Sequence, residues 1–372
     1  MIQKNKVKRS AVFAQRPRYE KGGGFTGIPP LSRRRAALTR RLLGVFLLFT
    51  PPTACFPLGG GERGAFFRQM DENFTGAGET VDTPLSAAAQ LNPLGPEIVV
   101  RRGPSTAEQV MKSLSRAHPK RLGDAVFKND DWAVELHGKW YYYAEGRILP
   151  EELRGKAASY SPQPFYRYPE SLPEWERPPA EEAARYAQMS KQRRSGGAAS
   201  RAQIFYDDLW RIHNRGEAWQ QQKTIRFLGK EVLVHHAILE ELALVEQKIN
   251  EAAAADPQVR QWISKLASIS AWNWRDIADT RSRSNHAYGI AIDLLPAPQN
   301  RLETYWLWTA QKNLDWWDIP YSKRTHPPEA VIKSFEAYGF IWGGKWLFYD
   351  TMHFEYRPEI LFLNGIPLHG EY

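Results

Sequence analysis

Apolar and polar positions divide the chain into stretches of different character. From Phe56 to about Asp124 the sequence is rich in Gly, Pro and Ala with weak periodicity, which predicts tether and linker with one helix over Thr106 to Ala117. From Trp132 to Tyr143 apolar residues alternate on either side of His137-Gly138-Lys139, the pattern of a hairpin. Pro164 to Pro179 sets Phe165, Tyr166, Tyr168 and Trp175 among five prolines, predicting an extended stretch wrapped on a surface, and the polar run Lys191 to Gly197 predicts a boundary loop. Beyond Ile204 the pattern is denser. Thr224 to Val234 reads as two short strands around Leu228-Gly229-Lys230, and Ile238, Leu239, Leu242, Val245 and Ile249 recur at helical spacing, predicting an amphipathic helix over 236–253. Pro257 opens a second helix through Leu266. Tyr305 to Leu314 and Glu329 to Tyr338 predict two more, the last closed by Gly339. The mixture predicts an α+β fold: a small antiparallel sheet with flanking helices over 198–372, preceded by a β-rich accessory region at 125–197 and a linker at 56–124.

Composition changes this picture at the N-terminus. The net charge of +9 looks like a nucleic-acid signal until it is located: residues 1–55 hold twelve Lys or Arg and one acid, Glu20, so the rest of the chain is close to neutral. That removes the main argument for nucleic-acid binding, which needs cations clustered on the folded surface. Arg33, Arg34, Arg35, Arg40 and Arg41 precede the apolar run Leu42 to Phe49, followed by small residues and Cys55, the single cysteine. A basic segment, a short apolar run and small residues describe an export signal or a lipoprotein leader. The run is about half of the ~20 residues that span a bilayer, so membrane attachment is expected only through a lipid on Cys55, and no internal disulfide forms. Apolar residues make up 42% of the chain, enough for a real core, and the fourteen Trp and sixteen Tyr are expected in that core or along a groove.

The chemistry concentrates near the C-terminus. In Ser284 to Leu294, Ile290, Ile292 and Leu294 alternate with Gly289, Ala291 and Asp293. A strand here puts the branched residues on one face and two minimal side chains with one carboxylate on the other. His286, in the turn leading in, can fold back toward Asp293. Tyr349 to Tyr356 supplies His353, with Asp350 three residues earlier. Two His and one carboxylate leave a fourth zinc position open, the arrangement of a catalytic site. Glu355 would share a strand face with His353 and is expected to support it or to lie at the surface rather than to close the site.

The pattern S-x-H-x-x-G-x-A-x-D followed by D-x-x-H resembles the zinc D-alanyl-D-alanine carboxypeptidase family, which includes vancomycin-resistance carboxypeptidases and endolysin L-alanyl-D-glutamate peptidases. Ser284, His286, Gly289, Ala291 and Asp293 match the first motif, and the likeness spans about residues 225–365, including Trp274-Arg275, Thr280 and Gly339 to Trp346. It implies zinc held by His286, Asp293 and His353, with Asp350 as the catalytic acid/base. An Arg upstream steadies the oxyanion in this family; Arg275 is the candidate, with Arg281 and Arg283 close by. The implied partner is a peptidoglycan stem peptide, cut to release terminal D-Ala. The alternatives are L-alanyl-D-glutamate or cross-link cleavage, and a non-catalytic zinc-containing wall-binding module. Ser284 is expected to hydrogen-bond near the substrate or the turn, and Trp346 to line the groove or pack in the core. His118, His137, His213, His235, His236, His326 and His369 are read as structural or surface residues; no H-E-x-x-H follows the His235-His236 pair.

Overall fold

The computed structural model describes residues 105–369 except 173, 195–199, 278–281 and 298–302. The chain divides into two compact units, Met1–Thr83 and Pro84–Tyr372, and every described residue belongs to the second. The expected leader, Cys55 and the linker as far as residue 104 lie outside the described residues. Among the described residues, no helix is long and apolar enough to cross a membrane.

Helix α1 (Ala107–Ala117) opens on Thr106, whose hydroxyl accepts from the Gln109 amide while the Gln109 side chain accepts from the Thr106 amide. Val110, Met111 and Leu114 form its buried stripe and join the main core. This corrects the expectation of linker as far as 124: one apolar face is enough to seat α1 in the body, against the last helix (Pro358–Leu363). Strands β1 (Val126–Lys128), β2 (Asp131–Leu136), β3 (Lys139–Tyr142) and β4 (Leu149–Pro150) follow as an antiparallel sheet in chain order. The β2–β3 turn is His137-Gly138 with φ of 54° and 82°, the two-residue turn whose twist matches the flanking strands.

The proline-rich stretch runs without regular structure and buries Tyr166 and Tyr168 against Ile341, Ile360 and Leu361. Helix α2 (Ala180–Arg194) then runs through Lys191 to Arg194, where a loop was expected. Its Ala, Glu, Gln, Lys and Arg are strong helix formers, which carry the helix despite a weak apolar stripe. Helices α3 (Ile204–Trp210) and α4 (Arg215–Gln221) lead to the hairpin β5 (Gln222–Phe227) and β6 (Lys230–His235). Helix α5 (Leu239–Ala255) buries Leu242, Val245 and Ile249, and α6 (Pro257–Ser264) starts on Asp256 with Pro257 in its first turn.

The third sheet is β7 (Leu266–Ser270), β8 (Ala291–Pro296), β9 (Phe340–Trp342) and β10 (His353–Tyr356), in the order β7-β8-β10-β9 and antiparallel throughout. Helix α7 (Asn285–Tyr288) precedes β8, α8 (Trp306–Ala310) and α9 (Glu329–Glu336) precede β9, and α10 (Pro358–Leu363) follows β10. Helix α8 is shorter than the Tyr305–Leu314 pattern because the exposed Leu314 gains nothing from its continuation.

The main core includes Leu114, Val134 and Tyr141 together with Phe205, Val234, Leu242, Ile292, Phe335 and Phe354, so the expected accessory and C-terminal regions share one core. Trp306, Trp316 and Trp317 pack with Tyr186, Phe348 and Tyr349 in a second cluster, which makes them packing residues.

His235, at the end of β6, is buried: its Nε2 meets the Trp210 carbonyl at 3.1 Å and its Nδ1 accepts from the Ala237 amide. Burial holds its pKa down at about 4. The unfolded chain takes up this proton near pH 6.5 and the folded chain near 4, so the fold loses up to about 3 kcal/mol as pH falls through that window. Denaturant midpoints measured between pH 7 and 4 should therefore drop more steeply in the wild type than in His235→Asn. Equal slopes would exclude His235 as the cause.

Candidate metal centre

Ser284 is the N-cap of α7, its hydroxyl accepting from the His286 amide at 3.3 Å. The helix stops after one turn at Gly289, whose φ of 76° reverses the chain into β8. A Cβ at Gly289 would overlap the Gln222 side-chain amide, so the residue type is fixed by close approach as well as by conformation. This turn sets His286 beside β8. The β8–β10 register then places His353 directly opposite Asp293, close enough for their side chains to meet.

Three atoms converge. His286 Nε2 lies 3.1 Å from Asp293 Oδ1 and 3.2 Å from His353 Nδ1, and His353 Nδ1 lies 2.9 Å from Asp293 Oδ1. Ligand bonds of about 2.0–2.1 Å arranged tetrahedrally would separate the donor atoms by about 3.3 Å, so this triangle is nearly the size zinc requires. The remaining imidazole nitrogens are engaged: His286 Nδ1 donates to the Ala271 carbonyl at 2.5 Å, and His353 Nε2 meets Glu355 Oε2 at 3.1 Å. Such contacts fix ring orientation and tautomer in metal sites. Asn285 Nδ2 donates to Glu355 Oε2 at 2.8 Å, and Arg357 stands 3.6 Å from the other oxygen. Glu355 thus supports His353 from behind rather than joining the triangle.

The charges also suit a cation. Burial opposes ionisation of Asp293, but the charges and hydrogen bonds of His286 and His353 outweigh it and hold its carboxyl well below the usual range. His353 resists burial in the same way, its contacts with Asp293 and Glu355 pushing it up to about 10. Burial, helped by the charges of Arg275 and His353, lowers His286 against the pull of Asp293. The metal-free centre is therefore an imidazolium between two carboxylates, and a metal would displace the His353 Nδ1 proton.

Asp350 is partly buried, and its Oδ1 is sealed from solvent without a hydrogen-bond partner. Its amide donates to the Gly343 carbonyl at 3.0 Å, and Tyr305 bridges to it from the other side. A Cβ on Gly343 would lie 2.6 Å from the Asp350 carbonyl, and one on Gly344 would run into the Trp342 ring, so Trp342-Gly343-Gly344 can pack this tightly only with glycines. Burial, followed by the charge of Asp293, raises the Asp350 pKa to about 7.

Trp346 is half-buried, its ring centroid 5.4 Å from that of His353 and its Nε1 donating to the Tyr166 hydroxyl at 2.6 Å. It forms a wall of the site, steadied by the proline-rich strap. Ser284 acts on the backbone as a cap and is buried. Arg275 is exposed, yet its charge lowers the pKa of both His286 and Asp350. Arg283 pairs with Asp207 and stacks over Trp274 and Tyr288, which occupies it away from the triangle. Thr280 and Arg281 lie outside the described residues. Asn285, Arg357, Tyr166 and the Ala271 carbonyl join the site without having been singled out by the sequence.

Residues 278–356 match a family described as D-alanyl-D-alanine carboxypeptidase, a span that holds His286, Asp293, Asp350 and His353 but not Arg275. Residues 110–165 match a domain of unknown function. No curated protein and no solved structure matches the chain. At the level of family, the C-terminal part is similar to zinc peptidases of peptidoglycan, and its His-Asp-His cluster fits a metal.

Glu355→Gln should weaken zinc binding by about 10–100-fold, because an amide cannot hold the His353 ring with the same charge. Competition with a chromophoric chelator measures this. Unchanged affinity would reduce Glu355 to a packing role.

Proposed function

We propose that the chain is a zinc peptidase that removes the terminal D-Ala from peptidoglycan stem peptides. The observation that carries this reading is the ligand-sized triangle of His286, Asp293 and His353, with the buried Asp350 carboxyl near enough to feel the charges of Asp293 and His353. Zinc, when bound, supplies Lewis acidity to the scissile carbonyl and to water. Asp350 takes a proton from the attacking water and returns it to the leaving amine; a pKa raised toward neutrality suits a group that must do both. Arg275 supplies positive charge near the developing oxyanion, and removing a donor of that kind costs about 3–4 kcal/mol of barrier. Trp346 walls the groove. Export, with or without a lipid on Cys55, would bring the enzyme to this substrate.

Digestion of purified muropeptides followed by mass measurement tests the reading. Loss of one alanine from pentapeptide stems is expected. Internal fragments would establish the endopeptidase alternative, and intact muropeptides with the zinc-loaded protein would leave only a binding role.

A further inference from the structure

Well apart in sequence from the metal ligands, the surface carries a cleft of about 250 Å³ lined by Lys120, Arg121, His137, Trp210, Arg211, Gln221, His235 and His236. It shares no lining residue with the triangle and contains no carboxylate. Three permanent cations converge on it, and among the described residues none of them makes an ion pair. Arg121 donates to the Leu209 carbonyl and lies with its guanidinium 4.8 Å from the centre of the Trp210 ring, while Lys120 and Arg211 are exposed. Glu241 is the acid whose charge reaches Arg121 and Lys120, and its carboxylate accepts a hydrogen bond from the Tyr356 hydroxyl. The excess of positive charge is felt locally: after burial, the charges of Arg121, Lys223 and Arg211 lower the pKa of His236.

We propose that this cleft binds the phosphate group of a small phosphorylated ligand. Guanidinium forks match phosphate oxygens, the Lys120 ammonium adds a point charge, and the Gln221 amide nitrogen offers a neutral donor at the rim, its oxygen accepting from His236 Nε2 at 2.8 Å. Cations in excess over the one nearby acid, gathered on an aromatic floor, are costly in an isolated protein and become favourable once an anion joins them. The cleft is also assembled across the fold. Lys120, Arg121 and His137 come from the segment that matches the domain of unknown function, and the others come from the end of α3 and its cap Arg211, from α4, and from the end of β6 with the following His236. The His235 amide donates to the Gly289 carbonyl at 2.8 Å, so its floor touches the turn that ends the His286 helix.

Calorimetric titration of inorganic phosphate, pyrophosphate and citrate into the full-length zinc-loaded protein tests the proposal. Pyrophosphate should bind in the micromolar to low millimolar range, more tightly than phosphate or citrate. The double variant Lys120→Gln/Arg211→Gln should bind it at least about tenfold more weakly, through loss of two charge-assisted contacts. Both residues are exposed and unpaired, so the variant should fold; Lys312→Gln, outside the cleft, should bind as the wild type does. Absence of binding, citrate binding more tightly than pyrophosphate, or loss of binding in Asp293→Asn instead of the cleft variant would overturn it. The last result would place the anion at the metal centre.

Discussion

Replacing Asp350 by Asn should lower stem-peptide hydrolysis by about 10²–10⁴-fold, the range for removing a general acid–base group, while zinc stays bound. The substitution keeps the shape of the side chain and the backbone contacts to Gly343 and Tyr305, so its effect falls on proton transfer. The pH profile gives an independent signature. A carboxylate raised to about 7 by burial and Asp293 is protonated, and useless as a base, below that pH. A bound cation favours the charged form and pulls the value down again. The acid limb of kcat/KM should therefore fall between the ordinary carboxylate range and about pH 7, and Asp350→Asn should abolish it. Full activity in the variant would end the proton-transfer assignment, and loss of zinc would move Asp350 into the ligand set.

The triangle could be read from sequence because its parts are local or lie on strands of fixed period. His286 sits one turn before β8, Asp293 occupies the face that Gly289 and Ala291 leave open, and His353 begins a second short strand. What spacing could not supply was the register between β8 and β10, which sets Asp293 against His353, or the Ala271 carbonyl that fixes His286, since main-chain acceptors leave no trace in residue type. The Tyr166–Trp346 contact joins residues far apart in sequence, and only the extended character of the strap was legible. Helix α1 was visible, but its burial was not, because the Gly- and Pro-rich sequence before it concealed where the core begins. Helix α2 was overlooked for the opposite reason: its residues favour a helix individually, while its apolar stripe is too weak to announce one.

Asp293→Ala should take zinc content from about one per chain to nearly none, and hydrolysis with it. Two imidazoles cannot complete a site that needs three protein ligands, and the lost carboxylate is also the group whose Oδ1 contacts both His286 Nε2 and His353 Nδ1. The metal-free variant should nevertheless fold. Breaking a buried ion pair costs about 3–5 kcal/mol when the surviving charge is stranded, but His353 keeps its contact with Glu355 and can also lose its proton. The destabilisation should therefore fall short of that range, and a cooperative melting transition should survive. Metal analysis alongside thermal unfolding separates the two effects. Zinc retained at the wild-type level in a folded variant would remove Asp293 from the ligand set and, with it, the premise that the β8–β10 register exists to build a metal site.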